Sequence, residues 1–289
     1  MLVLYSGIFR VFDPSFRAFL QNVVIPNPSH NFEIVVHSEN GHFCSDKDIS
    51  CQPAQLALGQ CNMCSCIYKP DDVDAAIRVS VAHGLKEQGV PVHRVSIRTV
   101  VLESVPLPLS RLKAAWAAAK ESLEVFHFKH VLYIRPDGAP TTPVVLEDWC
   151  QHDAYGASAS TGEPAVYIMS GEVDRGRDWP LHSRDYDLGA LACHPYGFDV
   201  FAESLNTPCA DVWDGCAGVG ADAGAGKPPV APGSLGGKVL CDSVVCGMAA
   251  TFSKKQLLLG SMDDKAIYSR LYRVKDTCEV THQQDPQVK

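Results

Sequence analysis

The chain has 289 residues, 46% of them hydrophobic and 20% charged, which is enough apolar material for one large folded domain or two small ones. Its formal net charge of −8 argues against a nucleic-acid partner, because such binding depends on Lys and Arg side chains that neutralise phosphates. No apolar stretch is long enough to cross a bilayer, so no transmembrane segment is predicted.

The first predicted elements are a strand, a helix and a second strand. Leu2–Tyr5 is a short apolar strand that leads into the turn Ser-Gly-Ile-Phe-Arg at residues 6–10. Asp13-Pro14 is a typical helix start, and a helix with a buried aromatic face is expected after it. The second strand, FEIVVH at residues 32–37, is rich in β-branched residues and ends at a histidine.

A cysteine-rich, polar insertion without periodicity follows at residues 40–70. Five of the twelve cysteines of the chain lie in it: Cys44, Cys51, Cys61, Cys64 and Cys66. They allow three interpretations, which are a thiolate zinc site, disulfides, or free thiols. A single CxxC motif is weak evidence for zinc, and thiols are expected to be reduced where no signal peptide directs secretion. A location in the secretory pathway would permit disulfides instead, and the sequence does not decide between these states.

Helices and strands alternate up to residue 138. A helix is predicted at residues 71–89 and a strand at residues 93–102. An amphipathic helix follows, because apolar residues recur at spacings of three and four. These residues are Leu109, Leu112, Trp116, Ala119, Leu123 and Phe126. A buried strand at residues 130–134 comes next. This alternation predicts an α/β fold with a mostly parallel sheet and helices on both faces.

An arginine and an aspartate stand directly after the strand at residues 130–134. The sequence Arg135-Pro136-Asp137-Gly138 has turn chemistry, since Pro136 cannot continue a central ladder. Ligands bind at the carboxyl ends of strands in open α/β sheets. A carboxylate there suits a hard divalent cation, and an arginine suits phosphate. The alternative is an ordinary strand-to-loop turn in which Arg135 is solvated.

The patterns weaken after residue 138. We expect a strand at 165–169, a Gly/Pro-rich surface loop at 206–238, a strand at 242–252, and helices at 253–259 and 263–272, which leave an irregular C-terminal third. Five aspartates are candidates for acid–base chemistry: Asp153, Asp185, Asp187, Asp199 and Asp242. Asp153 is the strongest of them, because Trp149, His152 and Tyr155 lie beside it and could shape a sugar-sized polar pocket.

Several common catalytic motifs are missing from the sequence. Gly226-Lys227 lacks the preceding strand, the first glycine and the following Ser or Thr of a phosphate-binding loop. There is no G-x-S-x-G nucleophile elbow, no HExxH zinc motif and no G-x-G-x-x-G dinucleotide motif.

Three segments taken together resemble a known family. They are Ser6-Gly7-Ile8-Phe9-Arg10, FEIVVHSE at residues 32–39, and the helix and strand that end in HVLYIRPDG at residues 130–138. In their order and spacing they resemble glycosyltransferases of the GT-A class found in large algal viruses, algae and other protists. The resemblance covers roughly the first 155 residues.

The resemblance implies a GT-A-like, Rossmann-like domain over residues 1–289 that binds a nucleotide-diphosphate sugar. The residues expected to bind this donor are Ser6, Gly7, Arg10, His37 and Arg135. Asp137 would bind Mn²⁺ or Mg²⁺ at the place of the family's DxD motif. The sequence departs from that motif, since Arg135 stands where its first aspartate belongs. In an inverting reaction, Asp153 would be the catalytic base.

We therefore expect a metal-assisted glycosyltransferase that moves a sugar from a nucleotide-diphosphate-sugar donor to a hydroxyl group of a glycan or another acceptor. Two alternatives stay open: a non-catalytic sugar- or protein-binding module on the same fold, and an interaction protein stabilised by zinc at cysteines 44–66. The first residues, MLVLYSGIFRVF, lack a basic region and a cleavage site. We expect a soluble, cytoplasmic protein, or one of the secretory-pathway lumen if an anchor precedes this sequence.

Overall fold

The fold is that of a computed structural model, which describes residues 1–9, 12–43, 70–102, 108–136, 138–151, 163–169, 189–205, 251–261, 268–273 and 280–282. The strands are β1 (Leu2–Phe9), β2 (Phe32–Phe43), β3 (Val95–Leu102), β4 (Val131–Ile134), β5 (Gly138–Pro140), β6 (Val166–Met169), β7 (Gly189–Ala192), β8 (Leu259–Ser261), β9 (Tyr268–Arg273) and β10 (Val280–His282). The helices are α1 (Phe12–Phe19), which continues as a π-helical turn (Leu20–Val24), α2 (Pro70–Glu87), α3 (Pro108–Ser122), α4 (Leu146–Trp149) and α5 (Pro195–Ser204).

Seven strands form the main sheet, in the order β3-β2-β1-β4-β7-β6-β8. The first four are parallel neighbours, β7 is antiparallel to both β4 and β6, and β8 is parallel to β6. A smaller antiparallel sheet has the order β10-β9-β5. The predicted α/β class with a mostly parallel sheet is confirmed.

Both faces of the main sheet are covered by helices. Along β1, Val3 and Tyr5 point into a core that also contains residues of α1 and α2. Leu2 and Leu4 point into a second core, with residues of α3 and α5. All four side chains are fully buried, as expected for a strand whose sequence is continuously apolar. No described helix is long and apolar enough to cross a membrane.

The structure departs from the sequence-based predictions mainly after residue 188. Residues 268–273 form a strand where a helix was expected, and residues 251 and 252 are helical where a strand was expected. Residues 253 and 254 are helical as predicted, but this helix ends at residue 254 and not at 259. β7 and α5 were not predicted at all, and the described part of the C-terminal third is more regular than expected. In α3, the helix ends at Ser122, so Phe126 is half exposed instead of buried. The Gly/Pro-rich loop at 206–238 lies outside the described residues.

Residues 138–150, which we call the return segment, run from the carboxyl end of β4 along α1 to the opposite edge of the sheet. Asn22 donates from Nδ2 to Pro140 O at 2.7 Å, and the Val144 amide donates to Asn22 O at 2.7 Å. Asn27 is 1% exposed and binds the segment further down. Its Nδ2 donates to Val144 O at 2.7 Å, and its Oδ1 accepts from the Leu146 amide at 2.8 Å. These bonds hold the return segment against the first helix.

We expect Asn27→Ala to lower the free energy of unfolding by about 3 kcal/mol, because it removes these buried hydrogen bonds and leaves backbone groups without partners. Urea unfolding of the variant and of wild type measures the difference. Gln21→Ala is the control, since this exposed amide lies six residues earlier, in the π-helical turn, and its loss should cost less than about 0.5 kcal/mol. Equal stability of Asn27→Ala and wild type would contradict the role of the asparagine.

Candidate functional site

Three adjacent parallel strands bring three of the sequence motifs to one level of the sheet. Ser6 of β1 is in register with His37 of β2. On the other side of β1, Tyr5 is in register with Ile134, the last residue of β4, so Arg135 follows β4 at the same edge. Four of the residues predicted to form the site, Ser6, Gly7, His37 and Arg135, are therefore neighbours at the level where β4 ends, which we call the carboxyl edge. Strands β1 and β2 continue beyond this level to Phe9 and Phe43, further than the sequence predicted. The predicted site residues Arg10, Asp137 and Asp153 lie outside the described residues.

Ser6 and His37 form a buried polar pair. Ser6 is 1% exposed and His37 is 2% exposed, and the Ser6 Oγ lies 3.1 Å from His37 Nδ1. The Ser6 hydroxyl also lies 3.3 Å from the carbonyl oxygen of Arg111, to which it can donate. The pair joins β1, β2 and the first turn of α3 beneath the carboxyl edge.

His37 is held in its neutral form. Burial lowers its pKa to about 4, a hydrogen bond to its own backbone acts against this shift, and the nearby positive charge of Arg111 adds to it. Its Nε2 is buried and has no hydrogen-bond partner among the described residues. The ring therefore offers one polar atom at this edge that the described part of the fold does not use.

The turn after β4 is packed against the end of β1. The amide of Gly138 donates to Arg135 O at 2.9 Å, which closes a four-residue turn with Pro136 at its second position. Gly7 has φ +149°, and a Cβ at this residue would lie 3.0 Å from Pro136 Cδ. A glycine is required here both by the backbone conformation and by the close approach of the proline ring.

Two arginines belong to the elements at the carboxyl edge. Arg111 lies in the first turn of α3, beside His37, and Arg135 begins the turn after β4. Helices α1, α2 and α3 each follow a parallel strand, so their amino ends face this edge, where the helix dipole also favours negative charge. Such an arrangement suits an anionic ligand such as a diphosphate. Arg111 was not singled out in the sequence, because an arginine in a helix gives no pattern that separates it from a solvated one.

Buried neutral histidines make the stability of the protein dependent on pH. Burial lowers the pKa of both His37 and His130 to about 4, from an ordinary value of 6.5. The unfolded chain binds these protons more readily, so stability is complete above about pH 6.5 and falls as the pH is lowered towards 4. We expect the free energy of unfolding to be about 2 kcal/mol lower per buried histidine at pH 5 than at pH 7.5.

Urea unfolding between pH 5 and 7.5 measures this dependence. His37→Gln should remove the contribution of one histidine, so that the stability of the variant falls less steeply with decreasing pH than that of wild type. His93→Gln is the matched variant for comparison, because it makes the same substitution at an exposed histidine. An identical slope in His37→Gln and wild type would show that His37 is not held neutral by the fold.

The described residues on either side of Asp153 lie at the edge where the parallel strands begin. Cys150 forms a disulfide with Cys193, which directly follows β7 opposite the start of β4. After the undescribed residues, the Ala165 carbonyl accepts from the Cys193 amide at 3.1 Å. Asp153 itself lies outside the described residues, so its role as a base stays a prediction.

Two other candidate aspartates follow a strand that ends at the site edge. Met169, the last residue of β6, pairs with Gly189, the first residue of β7, and both are level with the end of β4. The chain between them contains Asp185 and Asp187. Both aspartates lie outside the described residues, but the segment that contains them leaves and re-enters the described fold on the side of Arg135.

Asp199 binds two side chains of α3 and has a structural role away from the site. Its Oδ1 accepts from Trp116 Nε1 at 2.6 Å and from Lys120 Nζ at 2.8 Å, so it joins α5 to α3.

Asp242 and the cysteines at 44–66 lie outside the described residues, and zinc in the insertion stays a prediction. Within the described ranges, no three His, Cys, Asp or Glu side chains form a metal-binding group. The disulfide between Cys150 and Cys193, with a Cα–Cα distance of 5.2 Å, differs from the default expectation of reduced thiols.

Fold and site together define a class of protein: an α/β protein with a mostly parallel sheet, whose buried polar and cationic residues converge at the carboxyl edge of its central strands. No protein-family model matches the sequence, and no curated protein matches it in sequence either. Among solved structures, the chain is similar to the glycosyltransferase GlyE of Streptococcus pneumoniae TIGR4, with 9% identity and a TM-score of 0.39. That match covers 91% of this chain and 45% of GlyE, so the chain spans less than half the length of that protein.

Two further solved structures are similar at the same low level. The nucleoside-diphosphate-sugar pyrophosphorylase of Vibrio cholerae RC9 has 10% identity and a TM-score of 0.37, over 93% of this chain and 95% of that protein. The bifunctional glycosyltransferase WbbM has 10% identity and a TM-score of 0.29, over 70% of this chain and 33% of that protein.

Proposed function

We propose that the chain is a glycosyltransferase that transfers a sugar from a nucleotide-diphosphate-sugar donor to a hydroxyl acceptor. The observation that carries this proposal is the convergence of Ser6-Gly7, His37 and Arg135 at the carboxyl edge of three adjacent parallel strands. These are the segments on which the resemblance to GT-A glycosyltransferases depends, and ligands of open α/β sheets bind at this edge.

The proposed donor site uses the residues around the end of β1. The nucleotide would lie against Ser6, Gly7 and His37, and the diphosphate would lie towards Arg135. Arg10, which follows β1 in the sequence, would contact the donor from the same side. The guanidinium of Arg135 would neutralise part of the charge that develops on the departing phosphate.

A divalent cation fits this site if the donor supplies part of its coordination. Mg²⁺ is typically held by one or two carboxylates together with phosphate oxygens and water. Asp137 would provide the carboxylate, in the turn between Arg135 and Gly138 that is packed against Gly7. Mn²⁺ or Mg²⁺ bound there would supply further neutralisation of the diphosphate. A DxD site has a second carboxylate that helps to hold the metal. Arg135, which stands in its place, would instead neutralise part of the diphosphate charge directly.

The proposed transfer exchanges one carbon–oxygen bond for another. The acceptor oxygen attacks the anomeric carbon of the sugar, and the bond from that carbon to the diphosphate breaks, with its electron pair remaining on the phosphate oxygen. The acceptor proton passes to a base. We keep Asp153 as the sequence-based candidate for this base. Asp185 and Asp187 are further candidates, in the segment between β6, which ends at the site edge, and β7, which begins there.

The replacement of the first DxD aspartate by Arg135 favours one alternative, a non-catalytic module that binds a nucleotide sugar without turnover. Both proposals are tested by a thermal-shift screen of purified protein with UDP, GDP, CDP and their sugars, with and without Mn²⁺. A ligand that binds only the folded state raises the apparent stability. The expected result is a shift with one nucleotide that increases when Mn²⁺ is added.

Three outcomes separate the proposals. A metal-dependent shift, accompanied by hydrolysis or transfer of the sugar, supports the glycosyltransferase. A shift supports the binding module if the nucleotide sugar stays intact after prolonged incubation with a range of sugar acceptors. The lack of any shift at millimolar concentration, in protein that unfolds cooperatively, would overturn both.

A further inference from the structure

We infer that the bond between Cys150 and Cys193 is a permanent structural disulfide, which fastens the end of the return segment to the main sheet, and that the protein accordingly acts in an oxidising compartment. The two cysteines are 43 residues apart in the sequence. Their bond closes a loop of the chain that contains β6 and β7. It would have this role whether or not the chain transfers a sugar.

Cys193 is anchored in the main sheet through both of its backbone polar groups. Its amide donates to Ala165 O at 3.1 Å, and its carbonyl oxygen lies 3.3 Å from His130 Nδ1, which can donate to it. Cys193 directly follows β7, which lies between β4 and β6 in the sheet. One half of the disulfide is therefore attached to the central strands.

Cys150 ends the return segment and is held by a second set of contacts. Its amide donates to Leu146 O at 2.8 Å, and the Leu146 amide donates to the buried Asn27 Oδ1 at 2.8 Å. The rings of Trp149 and Tyr167 meet edge to face, with their centroids 5.2 Å apart. Contacts that do not involve sulfur thus help to place the Cα atoms of the two cysteines 5.2 Å apart, within the range that a disulfide requires.

Formation of the bond is a two-electron oxidation. The two thiols give up two protons and two electrons, and a disulfide of a small molecule or of another protein takes them up and becomes two thiols. In the folded chain, the contacts around Cys150 and Cys193 keep the two residues together even when the bond is broken. Reduction therefore releases little chain freedom unless the fold opens, so the bond should resist reduction.

The compartment follows from this resistance. Disulfides persist in oxidising environments such as the lumen of the endoplasmic reticulum, the bacterial periplasm and the extracellular space, whereas those of the cytosol are usually transient and serve catalysis or redox sensing. Labile disulfides are typically strained or exposed. Cys150 and Cys193 are both partly buried, and no other cysteine is present in the described part of the chain to exchange with them. These features favour a permanent bond over a regulatory one.

The first experiment maps the thiols of the full wild-type chain, directed to the bacterial periplasm, by alkylation and mass spectrometry. A digest prepared without reductant should contain two peptides linked through Cys150 and Cys193. The link should remain after the native protein has equilibrated with a glutathione buffer as reducing as the cytosol. Free thiols at these positions, or pairing of either residue with another cysteine, would overturn the inference. Loss of the link in the glutathione buffer would also overturn it, because the bond would then be a labile one.

The second experiment compares wild type with the double variant Cys150→Ala/Cys193→Ala, which leaves no unpaired thiol from this pair. We expect the Tm of the double variant to be lower by about 5–10 °C, since the loop is no longer closed in the unfolded chain. The difference should disappear when both proteins are heated in dithiothreitol, whatever the state of the other cysteines. An equal difference with and without reductant would show that the substitutions act through packing, and would overturn the role of the bond.

Amide hydrogen exchange locates the effect in the fold. Exchange at residues 146–150 should be faster in the double variant, because the end of the return segment has lost its covalent attachment. Exchange in β3, at the other side of the sheet, should be unchanged and serves as the internal control. Unchanged exchange at residues 146–150 would show that the disulfide does not fasten this segment.

Discussion

Replacement of Asp137 by asparagine is expected to abolish metal-dependent binding of a nucleoside diphosphate. An amide has the shape of the carboxylate without its charge, and hard divalent cations depend on charged oxygen ligands. Since the sequence offers one aspartate in this turn, and an arginine where the second would be, no neighbouring carboxylate in the motif can replace it. We expect the Mn²⁺ affinity, measured with bound nucleotide, to fall at least about 100-fold.

The matched control for Asp137→Asn is Asp148→Asn. Asp148 is an exposed residue of the short helix α4, and it lies in the same return segment at the opposite edge of the sheet. This control should bind Mn²⁺ and nucleotide as wild type does. Full metal-dependent binding in Asp137→Asn would show that the metal is held elsewhere. Arg135→Met separates the second contribution, because it should weaken diphosphate binding even without metal if the guanidinium neutralises phosphate.

Gly7→Ala is expected to lower the free energy of unfolding by about 3 kcal/mol and to weaken nucleotide binding at the same time. The residue has φ +149°, a conformation that costs an alanine on the order of 1–3 kcal/mol. The added Cβ would also lie 3.0 Å from Pro136 Cδ, so the proline must move. Displacement of Pro136 shifts the turn that joins Arg135 to Gly138, and the donor site with it.

Gly89→Ala isolates the cost of the backbone conformation. Gly89 has φ +64°, and a Cβ there would meet no atom within 4 Å. Its replacement should cost about 1 kcal/mol because of the backbone conformation alone. Gly89 follows the carboxyl end of α2, at the end of the sheet remote from the site, so nucleotide binding should be unchanged. Urea unfolding and nucleotide titration of both variants measure the two effects. If the two substitutions lower the free energy of unfolding equally and neither weakens nucleotide binding, the contact between Gly7 and Pro136 does not contribute to function.

The first half of the fold could be predicted because its signals are local. Strands β1, β2 and β4 each contain a largely apolar run, and each run ends at a polar residue: Ser6, His37 or Arg135. Because the ends of parallel strands meet at one edge, strand assignment alone places these three residues together. The contacts below them, such as the bond between Ser15 and Gly138, depend on packing across 123 residues and have no pattern in the sequence.

The second half was harder to predict because its strands are set by pairing and not by composition. β7 has the sequence Gly-Ala-Leu-Ala, with no alternation and one large side chain, yet it lies between β4 and β6 in the centre of the sheet. β9 carries apolar residues at helical spacing, but it pairs with β5 and β10. For α5, Pro195 at the first helical position after His194 was an available signal of a helix start.

The hydrogen bonds between the first helical segment and the return segment also affect the order in which the chain can fold during synthesis. The hydrogen bonds from Ser15, Asn22 and Asn27 reach residues 117 to 123 positions further along the chain. When a nascent chain has emerged only as far as β4, the carbonyl groups that accept these hydrogen bonds are still missing. Contacts of such long sequence separation slow folding, because loop closure must precede them. The amino-terminal half should consequently not reach its final packing on the ribosome until the return segment has emerged and docked.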